Sequence, residues 1–160
     1  MARPDPNTEG THIARNPKAF HKFNIGDKWE AGLVLVGSEV KSLRMGRATL
    51  IEAHVKPSRD GELWLEGAQI PAYAQASYAN HMPDRPRKLL LHKRQIREIQ
   101  QHLEFGGRAV LALAIYFKNG VAKVQLGLAL PKTHEDRRDD MRKQEARKEV
   151  SRELARRDRR

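Results

Sequence analysis

The chain has 160 residues, of which 39% are hydrophobic, enough for one domain with a modest core. It contains no cysteine, which excludes a disulfide framework and a thiolate metal site and suits a reducing compartment. Its formal charge of +11 favours a polyanionic partner, which charge alone leaves open between RNA, DNA and an anionic membrane surface.

The N-terminal segment carries few apolar residues. Residues 1–15 hold two prolines and show no hydrophobic period, so we expect them to be disordered. They lack the apolar stretch of a signal peptide. We expect ordered structure to begin near Phe23.

The next segment predicts a strand followed by a helix. Residues 29–36 are rich in β-formers and predict a strand. Residues 38–46 predict a short helix that begins at a serine N-cap and ends at a glycine. Lys41 and Arg44 lie three residues apart on this helix, so both can face phosphates from one side.

The middle of the chain predicts further strands and one long loop. Residues 48–56 predict a strand, and residues 62–70 alternate between apolar and polar side chains as a half-buried strand does. Residues 71–86 carry three prolines and no period, so we interpret them as a loop. A short apolar run with a basic beginning follows over residues 87–92.

The last part of the domain predicts an amphipathic helix and a hairpin. Residues 93–105 have apolar side chains at helical spacing. Strands over 108–118 and 121–129 flank Asn119-Gly120, a favoured two-residue hairpin turn. The whole predicts a mainly β fold, a small closed antiparallel barrel of five or six strands with helices packed on it.

The C-terminal segment differs in composition from the rest of the chain. Residues 131–160 hold 12 Lys and Arg, 8 Asp and Glu, and few large apolar side chains. Such a segment buries too little surface to offset the entropy of ordering it, yet its helix propensity is high. We predict a tail that is disordered alone and helical when a polyanion neutralises it.

The sequence shows no arrangement typical of an enzyme. There is no phosphate-binding glycine loop and no serine nucleophile motif. The histidines are scattered without metal-ligand spacing, at positions 12, 21, 54, 81, 92, 102 and 134. We therefore expect no catalytic residue, no metal and no cofactor.

Four blocks in order resemble one protein family. Residues 30–44 read E-A-G-L-V-L-V-G-S-E-V-K-S-L-R, and I-A-R-N-P-K-A-F-H precedes them at 13–21. N-H-M-P-D-R-P-R-K-L-L-L-H-K-R (80–94) and L-A-I-Y-F-K-N-G-V-A-K-V (113–124) follow. Over about residues 13–145 the chain resembles the SsrA-binding proteins (small protein B) of bacterial trans-translation.

The resemblance implies a fold and a function. It implies an OB-like closed barrel over residues 16–130, which binds the tRNA-like domain of transfer-messenger RNA and brings it to stalled ribosomes. It implies a tail over residues 131–160 that enters the decoding centre and the mRNA channel of the small ribosomal subunit. The family acts in the cytoplasm without a membrane or turnover, as one protein per RNA.

The resemblance also implies site residues. Asn16, Lys18 and Glu30 fall on family positions associated with the RNA-binding face, and Glu30 either accepts from bases or pairs with Lys41 or Arg44. Asn119 either shapes the hairpin turn or contacts RNA. The remaining expected RNA-binding residues, the helix pair included, are Lys41, Arg44, Arg85, Arg87, Lys88, Lys93, Lys118 and Lys123.

The tail departs from the family pattern at its beginning. The family usually shows two lysines, an aromatic residue or His, then D-K-R, whereas this chain reads P-K-T-H-E-D-R-R. Glu135 occupies the expected aromatic position and His134 lies one residue earlier. The expected ribosome-contacting residues of the tail are Lys132, His134, Asp136, Arg137 and Arg138.

Two other interpretations stay open. A generic OB-fold RNA-binding or ribosome-associated protein would carry base-stacking aromatic residues, and aromatic residues make up only 6% of this chain. An RNA-processing enzyme would gather acids or histidines on one face of the fold.

Overall fold

Seven strands and four helices are formed by residues 12–76 and 80–157, the part of the chain described in this computed structural model. The strands are β1 (His12–Arg15), β2 (Phe23–Leu33), β3 (His54–Pro57), β4 (Leu63–Glu66), β5 (Arg87–Leu90), β6 (Ala109–Lys118) and β7 (Val121–Pro131). The helices are α1 (Pro17–Lys22), α2 (Gly37–Arg44), α3 (Lys93–Glu104) and α4 (His134–Arg157).

The strands form one sheet in the order β1-β6-β3-β4-β5-β2-β7, and β6 also pairs with β7. The strand pairs whose register is defined are antiparallel, so the mainly antiparallel fold with added helices is confirmed. The predicted hairpin is also confirmed. Asn119 and Gly120 both have positive φ, 51° and 75°, which is the backbone conformation of the tight turn that suits strand twist.

The core lies on the inner face of this sheet. Leu63 and Leu65 on β4 are fully buried, while Trp64 and Glu66, which alternate with them, are half-exposed, as the alternation over residues 62–70 predicts. Ile99 of α3 is also fully buried and packs in the same hydrophobic core. The amphipathic helix predicted over residues 93–105 is confirmed as α3.

Ordered structure begins earlier than the sequence predicts. Residues 1–11 lie outside the described part of the chain, but residues 12–15 are not disordered, because they form β1 and pair with β6. Helix α1 follows directly, capped by Asn16. These elements are short and polar, and β1 pairs with β6, about 100 residues away in the sequence. A local hydrophobic pattern therefore does not predict them.

Helix α2 differs from its prediction at one end. Its N-cap is Val36, and Ser38 lies inside the helix with its hydroxyl 2.8 Å from His81 Nδ1. The other end is as predicted, since Gly46 follows the last turn with φ +74°. The strand expected over residues 48–56 is much shorter, because only its end forms β3 and Thr49 makes an isolated bridge with Gln69.

The chain divides into two compact units after Leu130. The second unit contains α4, a helix of 24 residues with no buried residue. Of the two forms expected for the tail, the structure has the helical one. Among residues 12–76 and 80–157, no helix is both long enough and apolar enough to span a membrane.

Candidate nucleic-acid interface

Three of the predicted RNA-binding residues meet around Tyr116. The Tyr116 hydroxyl donates a hydrogen bond to Glu30 Oε2, and Lys118 Nζ lies 3.4 Å from Glu30 Oε1. Lys123 is the partner of Tyr116 in the register of β6 and β7. We call Glu30, Tyr116, Lys118 and Lys123 the Glu30 cluster.

In the Glu30 cluster, a buried hydrogen-bond donor, Tyr116, contacts a partly exposed carboxylate, that of Glu30. Tyr116 is only 1% exposed, whereas the Glu30 side chain is 36% exposed. Burial and the hydrogen bond to Glu30 raise the pKa of Tyr116 well above its usual value of about 10, so its hydroxyl remains a donor even in alkaline solution. The ion pair that the sequence suggests between Glu30 and Lys41 or Arg44 is therefore replaced by one with Lys118.

A second group surrounds the beginning of α2. A cavity of about 590 Å³ is lined there by Lys41, Arg85, Ser38 and His81, among others. Lys41 Nζ also lies 5.5 Å from the centre of the Tyr73 ring. Lys41 and Arg85 are predicted RNA-binding residues from separate parts of the sequence, and both line this cavity. Arg44 is exposed on the same helix.

Beneath that cavity lies a buried ion pair. Glu39 and Arg87 are both 0% exposed, with Arg87 Nε 3.2 Å from Glu39 Oε2. Arg87 also donates to the carbonyl oxygens of Ala68 (2.9 Å) and Pro83 (3.0 Å), and Arg85 donates to the other oxygen of Glu39. The predicted RNA contact of Arg87 is wrong, because its guanidinium is buried and each of its three nitrogens donates a hydrogen bond inside the protein.

Asn16 has a similar structural role. Its Oδ1 accepts from Ala19 N (3.3 Å), and its Nδ2 donates to the carbonyl oxygens of Leu50 (2.8 Å) and Ala112 (3.1 Å). At 2% exposure, and with both polar atoms of its amide bonded inside the protein, Asn16 offers almost no surface to RNA, so a direct contact is again the wrong expectation. Asn16 instead fixes α1, which places the exposed Lys18 beside a cavity of about 340 Å³.

The other predicted basic residues of this unit lie apart. Lys88 on β5 is half-exposed and lies 3.7 Å from the Glu62 carboxylate. Lys93 is exposed at the first position of α3, where His92 and Gln95 form a capping box. The structure brings neither lysine into the Glu30 cluster or the lining of either cavity described above.

In the tail, one predicted ribosome-contacting residue has a local role. Asp136 Oδ2 accepts from the backbone N–H (3.0 Å) and the hydroxyl (2.8 Å) of Thr133, and Thr133 Oγ1 accepts from Asp136 N (3.2 Å). These bonds satisfy donors at the beginning of α4. Thr133 and Asp136 therefore cap the helix together, and only part of the surface of Asp136 remains exposed.

The remaining tail residues divide into two sets. Lys132 pairs with Asp140, whose pKa the Lys132 ammonium lowers through their hydrogen bond. His134, Arg137 and Arg138 are exposed at the first turns of α4. Their side chains project from a helix that contributes no buried residue, so a partner can reach them from solvent.

Sequence reasoning missed two residues that organise these surfaces. Glu39 lies four residues before the buried Leu43, so helical spacing alone places it on the inward face of α2. Tyr116 carried no such signal, since any β-former suits its strand. Its importance comes from contact with Glu30, 86 residues away in the sequence.

An antiparallel sheet with cation-lined cavities and a cationic helix is typical of proteins that bind nucleic acids. The sequence model of the SmpB protein family matches residues 13–156 of this chain, which covers the sheet, its helices and nearly all of α4. The chain belongs to the SmpB family.

Individual relatives agree with this assignment. The SsrA-binding protein of Thermobifida fusca is 46% identical over 145 residues, which cover 91% of this chain and 90% of the relative. The SsrA-binding protein of Acidothermus cellulolyticus is 47% identical over 145 residues, 91% of each chain. That of Solidesulfovibrio magneticus is 47% identical over 144 residues, 90% of this chain and 93% of the relative.

A solved structure is similar in fold as well. It is described with the words "tmRNA-SmpB: a journey to the center of the bacterial ribosome". Its chain is 41% identical to this one with a TM-score of 0.65, over 81% of this chain and 94% of the solved one. Sequence and fold therefore point to the same family.

Proposed function

We propose that this protein binds the tRNA-like domain of transfer-messenger RNA and delivers it to stalled ribosomes for trans-translation. The observation that carries the proposal is the family match over residues 13–156, because it covers the sheet and the tail together. The names of the relatives, SsrA-binding proteins, and of the solved tmRNA-SmpB structure support the same partners. We place the protein in the cytoplasm, as a binding protein without turnover.

We assign recognition of the RNA to residues 16–130 of the first unit, as an OB-like closed barrel. The pairing of β6 with β3 and also with β7 supports closure, because it links the two ends of the strand series β3-β4-β5-β2-β7. The proposed RNA-binding residues, with one protein per RNA, are Lys18, Glu30, Lys41, Arg44, Arg85, Lys88, Lys93, Lys118 and Lys123. Their side chains are all at least partly exposed.

We assign entry into the decoding centre and mRNA channel to α4. A 24-residue helix without a buried residue gains little from the protein itself, so a phosphate-lined channel can supply the missing stabilisation. Lys132, His134, Arg137 and Arg138 are the proposed contacts at its beginning, and Asp136 caps it together with Thr133.

The deciding measurement is a gel-shift titration with the isolated tRNA-like domain, with an ordinary tRNA as the competitor. We expect much tighter binding to the tRNA-like domain at physiological salt, because shape and base contacts add to the phosphate term that both RNAs share. Equal affinity for the two RNAs would contradict the proposal.

A further inference from the structure

The turn between α3 and β6 carries an exposed aromatic ring beside an arginine. Phe105 is 61% exposed, and the guanidinium carbon of Arg108 lies 4.7 Å from the centre of its ring. The backbone N–H of Arg108 donates to the carbonyl oxygen of Phe105 (3.4 Å), and Gly107 between them has a φ of 78°, which glycine adopts without strain. The turn therefore brings the ring and the cation together at the surface.

This pair leaves much of the aromatic ring uncovered. The guanidinium lies within cation–π distance of the ring, and Nη1 of Arg108 also lies 3.2 Å from Nδ1 of His102 in α3. The arginine is thus held between α3 and Phe105. The exposed part of the ring can take a second flat group, and the faces of all four nucleobases stack on aromatic side chains.

Arg108 also lines the cavity of about 340 Å³ beside Lys18. Lys18 and Lys22 lie four residues apart on α1, so they share one face of that helix, and both line this cavity. In the described part of the chain, neither lysine pairs with a carboxylate. Glu52 is the one carboxylate among the described residues of the lining, against three cations.

An RNA nucleotide combines the two chemistries that meet at this turn. Its base is a flat ring that can stack on Phe105, and its phosphate is an anion that the cations beside the cavity can neutralise. The formal charge of +11 favours such a polyanion over other flat ligands. Lys18 is a proposed RNA-binding residue of the same cavity, so RNA bound at Lys18 lies near Arg108 as well.

We propose that an unpaired nucleobase of the tRNA-like domain stacks on Phe105, and that Arg108 and Lys22 bind phosphates next to it. The inference rests on the proposed function and extends its RNA-binding surface from Lys18 to the turn between α3 and β6. Because every base has a face that can stack, the contact selects an unstacked nucleotide rather than one base. Loops of folded RNA present such nucleotides.

The experiment measures binding of the full-length protein to the tRNA-like domain of a bacterial transfer-messenger RNA. Phe105→Leu keeps an apolar side chain but removes the ring, and it should lower the affinity about fivefold or more, the size of one base–aromatic contact. The salt dependence should stay unchanged, because no phosphate contact is lost. Phe105→Trp retains a stacking ring and should bind at least as tightly as the wild type.

Arg108→Gln tests the phosphate contact separately. It should weaken binding and reduce the slope of log affinity against log salt by about one, because one phosphate neutralisation is lost. Phe20→Leu is the matched control for Phe105→Leu, since Phe20 is 40% exposed on α1 and does not line the cavity. It should bind like the wild type.

Changes in the RNA locate the stacked base. Each unpaired nucleotide is replaced in turn by an abasic one, which keeps its phosphate. At one position the wild type should lose about as much affinity as Phe105→Leu causes, and Phe105→Leu should lose nothing further there. Such non-additivity is what a direct contact between the two groups predicts.

The proposal is overturned if Phe105→Leu binds the tRNA-like domain as tightly as the wild type, or if its loss adds to that of every abasic position. Weaker binding to ribosomes alone would assign the turn to a ribosomal partner and also overturn it. These results leave the wild-type preference for the tRNA-like domain over tRNA intact, whereas loss of that preference would remove the proposed function. Thermal unfolding checks each variant, and the Phe105 variants decide if Arg108→Gln does not fold.

Discussion

At the scale of single residues, the basic side chains are of two kinds that the sequence does not distinguish. Some are exposed to solvent, and others are buried and stabilise the fold. Arg85 and Arg87 stand two residues apart and look equivalent in the sequence. The first is partly exposed beside the cavity at α2, and the second is fully buried against Glu39. Sequence alone could not separate them, because both contact Glu39 of α2, 46 to 48 residues away, and only the folded structure shows which of the two is buried.

We predict that Arg87→Met destabilises the protein by about 3–5 kcal/mol, because it leaves the Glu39 carboxylate buried with one partner fewer. Two backbone carbonyl oxygens, of Ala68 and Pro83, also lose their donor. Urea unfolding followed by circular dichroism measures the change in the free energy of unfolding.

Two further variants make this test specific. Arg94→Met removes an arginine that pairs with Glu98 while 90% exposed, and it should cost less than about 0.5 kcal/mol. Combining Arg87→Met with Glu39→Leu should recover part of the loss, because no buried charge is then left. Equal effects of Arg87→Met and Arg94→Met would show that burial of the ion pair contributes nothing.

We also predict that Tyr116 makes stability fall at alkaline pH. Its pKa is raised in the folded state, so unfolded chains lose this proton near pH 10 while folded chains retain it. The unfolded state therefore binds fewer protons above about pH 10, and the free energy of unfolding declines there. Below that pH both states are protonated and the full contribution remains.

The measurement is an alkaline titration of tyrosine absorbance together with unfolding curves at each pH. Wild-type protein should show one tyrosine that ionises only as the protein unfolds, and Tyr116→Phe should lack that late phase. Its stability should also decline less steeply above pH 10. A wild type in which every tyrosine ionises near pH 10 with the fold intact would contradict this prediction.

At the scale of elements, α3 and the β6–β7 hairpin were predictable because their signals are local. Helical spacing of apolar residues marks the first, and Asn119-Gly120 marks the second. The segment before Phe23 was not predictable, because β1 and α1 are short and polar and their stability comes from pairing with β6. The same contrast holds for the site, where Lys41 and Arg44 follow from helical spacing but the Glu30 cluster requires the fold.

Asn16 is the residue on which α1 depends. We predict that Asn16→Ala destabilises the protein by about 2–4 kcal/mol, because it removes an N-cap and leaves two buried carbonyl oxygens without a donor. Thermal unfolding gives the size of the loss, and hydrogen exchange should show that the amides of α1 open first.

Asn16→Asp distinguishes the cap from the buried contacts. Aspartate caps helices as well as asparagine does, so a role in capping alone predicts little change. In this structure the substitution would put a carboxylate against the carbonyl oxygens of Leu50 and Ala112, and we expect it to be at least as damaging as alanine. An Asn16→Asp protein as stable as the wild type would refute the buried role.

At the scale of the whole molecule, the charge is distributed over two units with different structural character. The first unit contains the packed core and the Glu30 cluster, whereas α4 buries no residue. Composition alone already indicated this boundary, because apolar side chains become scarce after residue 130. The form of the tail could not be fixed in the same way, because its high helix propensity and its lack of a core predict opposite states.

The separation of the two units leads to a last prediction, for a chain without residues 131–160. Its melting temperature should stay close to that of the wild type, because the deleted helix contributes no buried residue. It should still bind the tRNA-like domain, with affinity reduced only by the lost long-range attraction. In a reconstituted translation system it should not support tagging by transfer-messenger RNA on stalled ribosomes, because nothing then occupies the mRNA channel. Added in excess over the wild type, it should inhibit tagging, because it sequesters the RNA. A truncated chain that unfolds, or that no longer binds the tRNA-like domain, would instead show that the tail is part of the RNA-binding fold.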